Sequence, residues 1–429
     1  MKTTKKYPTL TLIAAASLAI TSCGGLNAQS AESEGSELEG LPIGATKEQY
    51  QEALSDIEPI NLTFQTASPS ADSLSGQREE AFAAAVEEWS GGKVTVDVVY
   101  GYAVAPVEDV VHALEDGRLD IAHWPTSYHA DILPAYAALQ ESLLSVPSSP
   151  LQGELVTHFV AQDVAFNNET IRQEFERQGV VPLNPMNTFG STTVACKEPK
   201  ETKADFAGNQ VRSNAAAQVQ QIEALGGHTV SLEQNETYEG LQRNMIQCTV
   251  GSPTALLGSG WIEQANNIYM PQDSTFIVGV GAVVAGSSWD DLPLPVQQLV
   301  FDRMTDYNLG ELGQTYASLM ETIETAKDSG AGMYYLSDDL NTALQDGNDE
   351  ILEAVRSSDA VDGDALITEV EDSIAKWTGI TDEMGYEDQG DFLDFPQWYE
   401  GSGEVIDEEY LLPIIEEFYT EVLAEHRPS

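Results

Sequence analysis

"DFAGNQVRSNAAAQVQQIEALGGHTVSL", residues 205–232, decides how this chain is read. "NQVRS" has the character of a short strand. From Asn214 onward, Val219, Ile222 and Leu225 recur at helical spacing until a Gly-Gly pair stops the helix. "HTVSL" is then a second strand, "NETYEGLQRN" a second helix and "MIQCTV" a third strand. Arg212 closes the first strand, and Ser213-Asn214 stands as the N-cap of the helix that follows. A guanidinium and free backbone N–H groups thus converge at one spot. Position alone leaves two readings open. Arg212 is either held in a structural ion pair by one of the chain's many acids, or it grips a ligand carboxylate in a bidentate fork.

The same order occurs upstream. "INLTFQT" from Ile60 is a strand, and "GQREEAFAAAVEEWSGG" is a helix with Phe82, Val86 and Trp89 on one face and Gly91-Gly92 at its end. "KVTVDVVY", "PVEDVVHALEDG" and "RLDIAHW" supply strand, helix and strand, with Gly117 at the helix end where the later copy has Asn244. This repeated grammar predicts an α/β fold of two similar lobes. Lobe 1 spans residues 60–186 with a return strand near 275–287, and lobe 2 spans 187–274. Ligands of such sheets sit beyond the carboxyl ends of the strands, so two facing lobes enclose a cleft there. The candidate ligand-binding residues are therefore Arg212 and Asn214, Gln65 and Ser68 after the first strand, and His123 and Trp124 after "LDIAHW". Asn187 in "NPMNTFG" and Gly251 and Ser252 after "QCTV" complete the set. The bland alternatives are hydrogen-bonded packing for His123 and core or lid packing for Trp124.

The chain opens with "MKTTKKYPTLTLIAAASLAITSC", three lysines followed by an apolar stretch too short to span a bilayer and then a small-residue cleavage site. Cysteine directly after that site is the pattern of a lipoprotein signal. Residues 1–23 are therefore expected to be a leader with Cys23 acylated, placing the mature protein outside the cytoplasm on a lipid anchor. Residues 24–59, rich in Ser, Gly and Glu, are expected to form a flexible tether with a short helix over 47–57. The formal net charge is -51 from 70 acids and 19 bases. So few bases exclude nucleic acid and anionic membrane surfaces as partners. In such a field an anionic ligand needs a strong, local positive point. Cys196 and Cys248, an even pair in an exported chain, are expected to form a disulfide between adjacent strands.

Signatures of catalysis are missing. The sequence holds no G-x-S-x-G elbow, no H-E-x-x-H pair and no phosphate-cradling glycine loop, and the spacing of His123, His129 and Asp131 fits no familiar zinc site. No cofactor, metal or enzymatic activity is expected. The rival readings are a secreted hydrolase working with two cleft carboxylates and a sensor domain reporting ligand state.

From Asp205 to Pro253 the sequence resembles the core signature of the DctP-type extracytoplasmic solute receptors of TRAP transporters. Asp205-Phe206-Ala207-Gly208, Val211-Arg212, Leu225-Gly226-Gly227 and the run from Glu236 to Gln242 fill the places of that pattern. "EEWSGGKVTVDVVYG" and "ALEDGRLDIAH" extend the likeness into the first lobe, so that it covers roughly residues 60–303. The resemblance implies a two-lobed periplasmic-binding-protein-like fold and a long helix spanning both lobes. It also implies a small organic-acid ligand paired with Arg212, and integral membrane transporter subunits as partners. Two departures stand out. Gly251 and Ser252 occupy the place of an amide contact, and "TFGSTTVAC" offers the neutral Ser191 and Thr192 where many members carry a second arginine, which argues for a less anionic ligand. Residues 293–429 are expected to hold the spanning helix and further C-terminal helices, with Val296, Val300, Tyr307, Leu312, Tyr316, Leu319 and Ile323 on one stripe.

Overall fold

The computed structural model describes residues 38–213, 217–272 and 274–429. The leader, Cys23 and Asn214 lie outside the described residues. Eleven strands form two sheets. In chain order they are β1 (Ile60–Gln65), β2 (Val94–Val99), β3 (Ile121–Trp124), β4 (Val181–Thr188), β5 (Thr193–Cys196), β6 (Gln210–Ser213), β7 (His228–Ser231), β8 (Cys248–Gly251), β9 (Asn267–Met270), β10 (Val280–Ala285) and β11 (Gly332–Tyr335). The lobe 1 sheet runs β2-β1-β3-β10-β4, and the lobe 2 sheet runs β11-β9-β5-β8-β6-β7.

The repeat read in the sequence is a repeat of topology. β1 lies parallel between β2 and β3, and β6 lies parallel between β7 and β8. Gly91, Gly92 and Gly117 in one lobe, and Gly226 and Asn244 in the other, all take positive φ at the helix ends. The chain crosses between lobes from β4 to β5 and again from β9 to β10, where β10 joins the first sheet antiparallel to β3 and β4. Cys196 and Cys248 face each other across β5 and β8, joined by a disulfide.

The helical tract after residue 293 does not run unbroken. It divides at Arg303 into Leu294–Asp302 and a long helix, Met304–Ser329, whose 26 residues span about 39 Å. All seven stripe residues are buried. The long helix packs against helix Leu74–Trp89 in lobe 1 and against helix Pro253–Gly258 and β11 in lobe 2. Gly310 allows the first approach, because a Cβ there would lie 2.9 Å from the Arg78 backbone. β11 itself, inserted after the long helix, extends the lobe 2 sheet beside β9.

Beyond β11, helix Asp338–Arg356 rests on helix Gln218–Ala224 of lobe 2 and helix Pro134–Ser142 of lobe 1. Helices Gly363–Met384 and Glu408–Glu421 cover lobe 1, with Trp377 and Phe418 both packed on Phe159. Of the expected tether, residues 38–59 dock on lobe 1. In helix Lys47–Ala53, Tyr50 is fully buried and its hydroxyl donates to Asp302 at 2.5 Å. Arg427 reaches the same place and donates to Asp302 (2.9 Å), to the Leu41 carbonyl (2.6 Å) and to the Tyr50 hydroxyl (2.7 Å).

Candidate functional site

Arg212 is the penultimate residue of β6, with its side chain turned inward and only 2% exposed. Nε donates to the Leu232 carbonyl at 3.0 Å, Nη1 to the Val250 carbonyl at 3.3 Å and Nη2 to the Tyr128 hydroxyl at 3.1 Å. The guanidinium lies over the Trp261 ring, 5.1 Å from its centroid. Gly251, at the end of β8, makes room for that ring, since a Cβ there would lie 2.7 Å from it. Tyr128 belongs to the short turn Thr126–Tyr128 that follows β3, so its contact with Arg212 joins lobe 1 to lobe 2.

Every one of these acceptors is neutral. Among the described residues Arg212 forms no ion pair with a carboxylate. Burial draws its pKa below the usual guanidinium value, while the nearby Tyr128 and Glu233 oppose the shift. An arginine stays charged in a protein, so among the described residues this buried cation has no carboxylate in ion-pair contact, only the more distant charge of Glu233. The open choice between ion pair and anion grip is thereby narrowed: the ion pair is absent among the described residues. Of the five N–H groups three are spent, which leaves two.

The lobe 1 face carries a different set. Arg78, 3% exposed, is paired with both Glu79 and Glu311 and lies over the Tyr307 ring at 4.6 Å. Glu79 also accepts from the hydroxyls of Thr66 (2.7 Å) and Ser68 (3.1 Å). His123, at 3% exposure, has Nδ1 3.1 Å from the Tyr102 hydroxyl. Burial and the positive charge of Arg78 push its pKa down to about 3, so the ring is neutral at any ordinary pH. Asn187 is fully buried and turns Nδ2 towards Glu311 at 3.5 Å. His123 Nε2, Asn187 Oδ1, the Tyr307 hydroxyl and Trp261 Nε1 are all buried without a partner among the described residues. Buried polar atoms are rarely left so, and Arg78 Nε shares this condition, as do atoms elsewhere such as Gln162 Oε1 and Asn184 Oδ1.

The residues singled out in the sequence divide accordingly. Arg212 meets lobe 1 through Tyr128, His123 and Asn187 lie beside the Arg78 cluster, and Gly251 makes room for Trp261 next to Arg212. Ser68 is engaged with Glu79, and Ser252 caps helix Pro253–Gly258. Gln65 spends its amide on the backbone of Val104 and Ala105, at 2.8 to 2.9 Å. Trp124 packs in the lobe 1 core, edge-on to Phe175. Ser191 lies in the β4 to β5 crossing and donates its backbone N–H to Glu154 at 2.6 Å.

Tyr128, Trp261, Tyr307, Arg78 and Glu311 were missed. For two of them the signal was present. Arg78 stands four residues before Phe82 on the buried helix face, and Glu311 stands four after Tyr307 on the apolar stripe of the long helix. A charged residue in either place must be partnered or functional.

Residues 65–358 match the family model described as bacterial extracellular solute-binding protein, family 7 (DctP). A curated solute-binding protein from Chromohalobacter salexigens is 24% identical over 238 residues, covering 54% of this chain and 66% of that protein, just under two thirds of its length. Among solved structures, a marine metagenome TRAP solute-binding protein described as specific for pyroglutamate is 15% identical with a TM-score of 0.63, over 74% of this chain and 100% of that one. The periplasmic ectoine-binding protein of the TeaABC TRAP transporter from Halomonas elongata is 18% identical with a TM-score of 0.62, over 74% of this chain and 99% of that one. The two-lobed fold and the extent of the family match lead to one assignment: the chain belongs to the DctP family of bacterial extracellular solute-binding proteins.

Proposed function

We propose that the protein is the extracytoplasmic receptor of a TRAP-type transporter. It captures a small carboxylate-bearing solute between its lobes and delivers it to integral membrane subunits, while a lipid on Cys23 keeps it at the membrane. The observation that carries this reading is the isolated charge of Arg212. A buried guanidinium with neutral partners and two unspent N–H groups matches one carboxylate, whose binding would supply the missing counter-ion and two charge-assisted hydrogen bonds. Tyr128 reaches the same guanidinium from the opposite lobe, so capture of the anion and closure of the lobes involve the same atoms.

A hydrolase working with two cleft carboxylates gains no support, because Glu79 and Glu311 are both bound to Arg78. The test is a thermal-shift and calorimetry screen of carboxylates, sugar acids, amino acids and neutral sugars against the wild type and Arg212→Ala. A carboxylate that binds the wild type and not the variant is expected. Equal response of the two proteins, or response to neutral compounds alone, overturns the reading.

A further inference from the structure

Glu154 stands where the lobes must turn on one another. It belongs to helix Gln152–Asn167 of lobe 1 and is 5% exposed. One of its oxygens accepts the Ser191 backbone N–H at 2.6 Å, in the crossing from β4 to β5. Gly190, the neighbour of Ser191 in that crossing, takes a φ of 76°, which glycine adopts without steric cost. On one side of the carboxyl is a recess walled by Thr275, Phe276 and Val278 of the second crossing, from β9 to β10. On the other is a recess walled by Phe189 and Gly190, by Pro253 of lobe 2, and by Thr315 and Ser318 of the long helix. Both crossings and both lobes thus border a single carboxyl. A rotation of one lobe on the other changes the space around it.

No cation balances this group. Among the described residues neither recess is lined by any charged residue besides Glu154. Asp388, which accepts from Ser149, Leu151 and Gln152 at the start of the same helix, adds negative charge. On the long helix, burial keeps the Tyr316 hydroxyl protonated, and Glu311, one turn before Thr315, is bound to Arg78. Further along the helix of Glu154, burial pushes His158 down to about 4, and Asp163 is paired with Lys376 of helix Gly363–Met384. Asp382 of that helix accepts from Gln152. With the lobes in contact through Tyr128 and Arg212, burial raises the pKa of Glu154 to about 7. Opening admits water to both recesses and returns the carboxyl towards its ordinary value near 4.5. Between these values the closed form holds a proton that the open form releases. Closure is therefore favoured at the acid end of the window and loses that advantage as pH rises to about 7.

Resting on the lobe movement of the receptor reading, though not on its ligand, we infer that Glu154 is a proton-operated latch at the hinge. Protonated, it lets the lobes stay closed; ionised, it favours the open form, in which its charge reaches water.

The test measures the distance between lobes by electron spin resonance on the unliganded mature chain. Labels go at the exposed positions Glu115→Cys on lobe 1 and Met245→Cys on lobe 2. Cys23→Ser leaves only these two thiols to react, because Cys196 and Cys248 are joined. The ratio of closed to open population should fall at least about threefold from pH 5.5 to pH 8.5. Glu154→Gln, neutral throughout, should keep the same ratio at both. Glu141, on helix Pro134–Ser142, is also raised to about 7 by burial, so Glu141→Gln is the control and should respond as wild type does.

A ratio that does not change with pH, or a wild-type response in Glu154→Gln, overturns the latch. So does a response abolished by Glu141→Gln, which also decides the matter should Glu154→Gln not fold. None of these results touches the carboxylate screen, by which the receptor reading stands or falls separately.

Discussion

Arg78 and Arg212 are buried to nearly the same degree, at 3% and 2% exposure, in facing walls of one cleft. Arg78 has two carboxylates and a tyrosine ring, whereas Arg212 has two carbonyls, a hydroxyl and an indole. The first arrangement has opposite charge without a ligand, although Arg78 Nε has no partner among the described residues. The second has none in contact, and hydrogen bonds to neutral groups recover only part of what a cation loses on leaving water. Burial alone does not separate the two arginines; the charge of their partners does.

Substitution tests that contrast most sharply at Arg78. Arg78→Met leaves Glu79 and Glu311 facing each other without a cation, and should cost about 3–5 kcal/mol of folding stability. A chemical denaturation midpoint within about 1 kcal/mol of wild type would show that the cluster is not what holds helix Leu74–Trp89 to the long helix. Arg212→Met should do the reverse. It removes an uncompensated charge, so the ligand-free melting temperature should stay level or rise, while affinity for the best carboxylate should fall about a hundredfold, near 2.7 kcal/mol. A fall in stability comparable to that of Arg78→Met would erase the distinction between the two arginines.

Glu154 sharpens it from the acidic side. It is 5% exposed, accepts the Ser191 N–H at the β4 to β5 crossing, and borders two small recesses. Burial raises its pKa to about 7, with the hydrogen bonds of Ser191 opposing and the charge of Asp388 assisting. A lone carboxyl can take up a proton, which an arginine cannot usefully give away. Below its ordinary value near 4.5 the group is protonated whether folded or not. Between that value and about 7 only the folded form keeps the proton, so stability falls as pH rises through this window and the penalty is complete above it. Glu154→Gln should therefore match wild type near pH 4.5 and exceed it at pH 8 by on the order of 1–2 kcal/mol. A difference that does not change with pH would mean that the carboxyl is solvated or paired. The smallest effect on binding is expected at Gly251→Ala, where the new methyl must displace the buried Trp261 from beneath Arg212, weakening carboxylate binding by about threefold and costing about 1–3 kcal/mol of stability.

What the sequence revealed of all this follows from what is local. The glycine-punctuated repeat was legible because helix ends at Gly91-Gly92, Gly117 and Gly226-Gly227 are written in adjacent residues. Arg212 was legible from the strand end beside it, but the helix expected to start at Ser213-Asn214 begins at Gln218, with Ala217 as its N-cap. Tyr128 and Trp261 were not, since Tyr128 comes from the other lobe and Trp261 from a turn two strands further along lobe 2. Gln65 shows the limit of arguing from position after a strand: such a position does not reveal that the side chain is consumed by the backbone at Ala105. β11 was hidden in a tract of helical periodicity, its four residues gaining their strand character from β9 beside them.

The clasp of Arg427 on Leu41, Tyr50 and Asp302 has a practical consequence for spectroscopy. It brings the two described ends of the chain together on lobe 1, so a pair of fluorophores near residues 41 and 427 would keep a constant separation whatever the cleft does. Moving one dye to Met245, 59% exposed on lobe 2, converts the same pair into a gauge of solute capture. The clasped pair then serves as the internal reference against which that signal is read.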